Sequence, residues 1–166
     1  CCVLFFFLEV TEDVTDQGAK VNTRALALDF LLETVEKGGY SHVVMRGMLE
    51  KYQYLDKKER AFLTRLCEGT LERMLELDAI INRCSKVPVK KMKPVIRNLL
   101  RLSVYQLKYM DQIPDSAVCN EAVKMAQKKG FYSLKGFVNG VLRNIARELP
   151  DMKFEDLSIQ YSTPKW

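Results

Sequence analysis

Histidine and tryptophan occur once each in these 166 residues, as His42 and Trp166, and glycine only eight times. With one histidine and no pair of cysteines in Cys-x-x-Cys spacing, no zinc site of the usual ligand types is expected. The five cysteines do not form a disulfide framework. Cys1 and Cys2 are adjacent, while Cys67, Cys84 and Cys119 lie singly in helical patterns, a usage that suits a reducing, cytoplasmic compartment. No glycine-rich loop follows a strand-like run, so the dinucleotide fingerprint and the phosphate loop are both missing. No apolar run reaches the roughly 20 residues that cross a bilayer. Cys67, Cys84 and Cys119 are nucleophiles by residue type only, and their apolar neighbours make each a small buried hydrophobe. Glu33, Glu50 and Glu121 are single carboxylates on helices. No residues for catalysis are found, and no metal or cofactor is expected in this chain.

Acidic residues are missing from two long stretches. Between Asp78 and Asp111 stand eight bases and no acid: Arg83, Lys86, Lys90, Lys91, Lys93, Arg97, Arg101 and Lys108. Between Glu121 and Glu148 stand six: Lys124, Lys128, Lys129, Lys135, Arg143 and Arg147. Bases are missing from the other end, because residues 1–19 hold Glu9, Glu12, Asp13 and Asp16 and no base. The net charge of +5 therefore understates the remainder, in which 26 bases face 17 acids. Two acid-free tracts in one domain can build a surface that attracts phosphates, or can be two solvated helix faces.

Nearly everything from residue 22 to 149 carries apolar residues at helical spacing, with no strand-like alternation. The first helix starts near Asn22 or Thr23 and stops at Gly38-Gly39. A shorter one covers Ser41 to Lys51, with Ser41 as cap. Asp56 opens a long stretch to about Ser85, broken between Glu72 and Glu76. Pro88 and Pro94 punctuate a loop, and Pro94 suits the first turn of a helix over Val95–Met110 that is apolar around most of its circumference. Asp115 or Ser116 caps the next helix, which Gly130 ends. The last runs from about Leu134 to Leu149, with Pro150 after it. The expectation is an all-α bundle of about seven helices.

On the central helix Arg97, Arg101 and Lys108 fall within about 40° of one face at 100° per residue. Lys135, Arg143 and Arg147 form a looser stripe on the last helix. Between the final two helices, Lys128-Lys129-Gly130-Phe131-Tyr132 sets two aromatics beside two lysines. Bases of single-stranded RNA stack on such rings while lysines meet phosphates. Alternatively, Phe131 packs as a staple at the helix start. Lys20 and Arg24 add charge at the start of the first helix. The first ten residues, CCVLFFFLEV, lack the basic flank of a signal peptide and read as an atypical extension that docks on an apolar surface, a groove or a neighbouring copy.

Four segments resemble the NusB family in order: RALALDFLLETVEKGGYSHVV, LDKKERAFLTRLCEGTLERMLELDAII, KPVIRNLLRLSVYQLKYMDQIPDSAVCNEAVKMAQKKG and GFVNGVLRNIAREL. The proline followed by Asn120-Glu121-Ala122-Val123, and then Phe137 to Leu142 as FVNGVL, are the most specific. The resemblance implies a helical bundle of two packed subdomains over residues 20–150. It implies an RNA surface at the start of the first helix and at the turn before FVNGVL, which match Lys20, Arg24, Lys128, Lys129 and Phe131. Asn139, the Asn of FVNGVL, is expected to be a buried, hydrogen-bonded structural residue.

The family includes the free-standing antitermination factor, which binds RNA with a ribosomal protein. It also includes the amino-terminal domain of the small-subunit ribosomal RNA methyltransferase that makes 5-methylcytosine with S-adenosylmethionine. Val141-Leu142-Arg143-Asn144 is similar to the methyltransferase's VLRN, where the antitermination factor usually carries an acid at the place of Arg143. Residues 161–166, YSTPKW, resemble its YSHPxW, with Thr163 in place of the histidine. On this reading residues 151–166 are a linker toward a catalytic domain, a further partner besides ribosomal RNA. The enzyme's two cysteines, one after a proline, have no match here, since no Pro-Cys dipeptide exists. A third reading makes the domain chiefly a docking module for that catalytic half.

Overall fold

The computed structural model describes residues 22–110 and 112–151. Among them are seven α-helices and no strand: α1 (Thr23–Leu31), α2 (Ser41–Lys51), α3 (Lys57–Glu72), α4 (Met74–Cys84), α5 (Pro94–Tyr109), α6 (Asp115–Lys128) and α7 (Lys135–Glu148). They fall into two compact units divided between Glu68 and Gly69, and α3 runs across the division. The expected all-α architecture is what the chain forms. Lys20 and the segments 1–19 and 152–166 lie outside the described residues.

In the first unit Asn22 caps α1, its side-chain oxygen accepting from the amides of Arg24 at 3.1 Å and Ala25 at 3.4 Å. This satisfies donors that a helix start leaves open. After Leu31 the helix loosens into one π-type turn, Leu32–Glu36. Gly38 then takes a φ of 77°, and the Gly39 amide donates to the Glu33 carbonyl at 3.0 Å. A residue with a Cβ is strained at that φ, so glycine ends the helix there. Leu26, Leu28, Phe30, Leu31, Val44 and Met48 are fully buried. Ser41 is the first helical residue rather than the cap, a place taken by the Tyr40 backbone. Asp56 does open α3, accepting from the Glu59 amide at 2.8 Å.

In the second unit the expected break falls at Arg73, between α3 and α4. Pro94 is the first residue of α5, where its missing N–H costs nothing. α5 packs on α4, α6 and α7, α6 packs on α7, and α4 also touches α7. From Asn98 to Leu107 every residue of α5 is buried, so this is the central helix the sequence indicated. Pro114, not Asp115 or Ser116, occupies the cap position of α6. Gly130 has a φ of 88°, and the following Phe131 amide reaches back to the Ala126 carbonyl at 2.9 Å. Val138, Leu142 and Ile145 bury one stripe of α7.

Candidate nucleic-acid interface

The α6–α7 turn and the outer face of α7 gather most of the expected basic positions. Lys128 is exposed at the end of α6, Lys129 is half-buried at its cap, and Gly130 turns the chain. Phe131 is half-buried, which favours its packing role at the helix entry, whereas Tyr132 is 63% exposed. Tyr132 is thus the ring available for stacking, a choice that two adjacent aromatics in a turn could not reveal from sequence. The Lys135 ammonium sits 3.9 Å from the centre of that ring, a cation–π contact. By hydrogen bonding and by charge it holds the Tyr132 hydroxyl below its ordinary pKa.

Along α7 the stripe continues through half-buried Asn139 and exposed Arg143 and Arg147. The Arg143 Nε–H donates to the Asn139 side chain at 3.0 Å, and Arg147 donates to Asn144 at 2.7 Å. Asn144 in turn donates to the Cys84 carbonyl at 3.0 Å, tying α7 to the end of α4. The two guanidiniums are therefore oriented by asparagines on their own helix, yet both side chains remain exposed. Asn139 is hydrogen-bonded as expected, but half-buried and holding a base rather than sitting in the core. Gly136 and Gly140 lie on the open part of this face, with free space where a Cβ would stand, so no side chain there screens the backbone from an approaching ligand.

The central helix departs from expectation. Arg101 does not belong to a surface stripe: its side chain is 8% exposed. Its Nε and one terminal nitrogen grip the two Asp78 carboxylate oxygens at 2.6 and 2.9 Å, and its other terminal nitrogen donates to Asn98 at 3.0 Å. Lys108 is also buried, paired with Glu76, whose second oxygen accepts from the Tyr109 hydroxyl at 2.8 Å. Arg97 alone of the three stays partly accessible. It lines a small cleft with Lys90, Asn82 and Pro88 at the α4–α5 connection. In the first unit Arg24 is half-buried, its guanidinium 5.6 Å from the Phe62 ring centre.

Among the described residues, the three cysteines have no reactive setting. Cys67 is fully buried, and desolvation first, then the nearby Glu68 charge, raises its pKa well above the ordinary value. Burial, and then the Glu148 carboxylate 3.1 Å away, push the Cys84 thiol up to about 12. Burial raises Cys119 as well. A nucleophilic cysteine needs the opposite shift. Among the described residues no cluster of His, Cys, Asp and Glu could hold a metal ion, and no helix is long and apolar enough to cross a membrane.

An all-helical bundle of this order, with an open basic face on its last helix, matches one family along most of its length. The NusB family model covers residues 21–147, and the chain belongs to that family. It is 36% identical over 153 residues to a probable ribosomal RNA small subunit methyltransferase B of Bacillus subtilis, covering 89% of this chain and 34% of the relative. A protein of the same name from Synechocystis is 33% identical, with 88% and 34% covered. The transcription antitermination protein NusB of Geobacter sulfurreducens is 32% identical, with 81% and 98% covered. Among solved structures, NusB of T. maritima superposes with a TM-score of 0.68 at 27% identity, covering 78% of this chain and 94% of that one. The chain thus spans about a third of the length of the methyltransferase relatives it matches.

Proposed function

We propose that this chain is the RNA-binding, substrate-positioning domain of a cytoplasmic, S-adenosylmethionine-dependent ribosomal RNA 5-methylcytosine methyltransferase, and that it is not catalytic by itself. The observation that carries the reading is the run of exposed Lys128, Tyr132, Arg143 and Arg147, with half-buried Lys135 against the Tyr132 ring, on one turn and one helix. Lysine and arginine would meet phosphates, which fixes position and gives affinity, while Tyr132 offers a face to an unpaired base. The methyltransferase names of the relatives support ribosomal RNA as the substrate class and a catalytic domain as the second partner.

S-adenosylmethionine would supply the methyl group in that catalytic domain. The described residues here do not fit it: there is no strand followed by a glycine-rich turn, and Gly38 and Gly130 both serve to end helices. This chain's part is to hold RNA. The near-complete coverage of the Geobacter NusB supports a second reading, a free-standing antitermination factor.

Titrating a labelled small-subunit ribosomal RNA fragment with the chain tests the reading. The double variant Lys128→Glu/Arg143→Glu is expected to weaken binding on all sequences alike and to lower the salt slope by about 1.4, with an unchanged circular dichroism spectrum. An unchanged affinity would overturn the assignment of this face.

A further inference from the structure

Six bases of the first acid-free tract have no role in the reading above. Arg101 and Lys108 turn inward, but Arg83, Lys86, Lys90, Lys91, Lys93 and Arg97 all lie between the last turn of α4 and the first turn of α5. The first five are exposed and Arg97 is half-buried. Lys90 and Arg97 line a cleft of about 350 Å³. Asp78, the acid that borders this cleft, has both oxygens held by Arg101, at 2.6 and 2.9 Å.

The connection that carries these lysines is anchored. The Val89 amide donates to the Asn82 side chain at 2.8 Å, and the Val89 and Met92 side chains are buried. The Ser85 hydroxyl donates to the Val87 carbonyl at 3.0 Å and accepts from the Val87 amide at 3.1 Å. One 3₁₀ turn, Val89–Lys91, then leaves Lys90 and Lys91 exposed between the two anchors. Lysines on a connection fixed in this way lose less backbone freedom on binding than the same lysines on a free loop.

The stripe on α7 leads to this place. Lys135, Asn139, Arg143 and Arg147 stand four residues apart, a row about 18 Å long. At its far end Arg147 donates to Asn144 at 2.7 Å, and Asn144 donates to the Cys84 carbonyl at 3.0 Å. One asparagine side chain thus separates the Arg147 guanidinium from the last turn of α4, where Arg83 and Lys86 flank Cys84 and Ser85. Glu148, the acid at this junction, is half-buried and accepts from the Cys84 thiol at 3.1 Å. Two basic tracts far apart in the sequence therefore meet within the second unit.

We infer that the two tracts form one track for the backbone of a single RNA strand, running from the α6–α7 turn along α7, across the end of α4 and into the α4–α5 cleft. Lys86, Lys90 and Arg97 are its far phosphate contacts. The inference rests on the RNA reading above and extends it to a longer strand. Val89, Met92 and Ile96 are buried, so the connection presents charge rather than apolar area. A protein interface has an apolar core, whereas a phosphate backbone is met by bases alone.

Titrating the full chain with oligouridine strands of about five and about fifteen nucleotides tests this, lengths close to the limits of a usual single-strand site. Lys86→Glu/Lys90→Glu is expected to weaken the long strand about tenfold and to lower its salt slope by about 1.4. The short strand, held at Tyr132 and α7, should change by less than about twofold. Lys57→Glu/Lys58→Glu, the same charge change on exposed residues of α3, should leave both strands within about twofold at about 0.15 M salt. Equal weakening by the two lysine pairs would make the effect one of net charge and overturn the inference. So would equal weakening of the short and long strands by the Lys86 and Lys90 changes. No effect of those changes on the long strand, the result expected if the connection met an acidic protein surface, also overturns it. In that case a loss with Lys128→Glu/Arg143→Glu would leave the α7 reading standing, and no loss with either pair would end both.

Discussion

Replacing Asp78 by alanine is expected to destabilise the fold by about 3–5 kcal/mol, the range for removing one partner of a buried ion pair. At this chain length that corresponds to a melting temperature lower by roughly 10 °C. The cause is not the loss of a favourable contact but what is left behind. The Arg101 side chain is 8% exposed and Asp78 is 23% exposed, so the guanidinium would keep its charge with only the Asn98 oxygen facing it. Asn98 cannot compensate by turning, since its amide nitrogen already donates to the Pro94 carbonyl at 2.8 Å. Removing both charges, as Asp78→Leu/Arg101→Met, should cost far less than Asp78→Ala alone, because no unpaired charge remains. A loss below about 1 kcal/mol for Asp78→Ala would place the pair among surface salt bridges and contradict the burial described above.

Gly69→Ala should be the other severe change, although alanine is the better helix former by about 1 kcal/mol. Gly69 lies within α3, and a methyl group there would overlap the hydroxyl and ring of Tyr105, with Cε2 at 2.7 Å. Tyr105 is 7% exposed on the central helix, so the ring has little room to move aside. Overpacking of this kind costs about 1–3 kcal/mol and occasionally more, which outweighs the gain in propensity. The urea midpoint should fall with an unchanged slope. In a Tyr105→Ala background the same Gly69→Ala change should turn neutral or slightly stabilising, since only the propensity term is left. If Gly69→Ala costs the same in both backgrounds, the close approach of α3 and α5 is not what requires glycine here.

The helices were legible in the sequence because periodicity and punctuation agree. Apolar spacing fixes the period, and Gly38 and Gly130 sit where the chain takes a positive φ. Pro94 begins a helix, and the interruption foreseen between residues 72 and 76 falls at Arg73. The basic face was legible only in part. Arg97, Arg101 and Lys108 do share a direction on α5, but on a helix buried around its whole circumference a shared direction does not say which way is out. The partners that take Arg101 and Lys108 inside, Asp78 and Glu76, lie 23 and 32 residues earlier, beyond any local pattern. On α7 the direction is easier to read, since Val138, Val141, Leu142 and Ile145 bury one side and leave Arg143 and Arg147 exposed, with Lys135 half-buried. Gly69 gave no signal, because one glycine in a helical pattern looks the same whether or not another helix crosses it closely.

The central claim, an RNA-binding domain working through phosphate contacts on the α6–α7 turn and α7, is tested most directly by the salt dependence of ribosomal RNA binding. About four contacts at roughly −0.7 per contact predict that affinity falls about fiftyfold between about 50 and 200 mM salt on single-stranded RNA. A binding constant that stays flat over that range, or no binding at the lower salt, would contradict it.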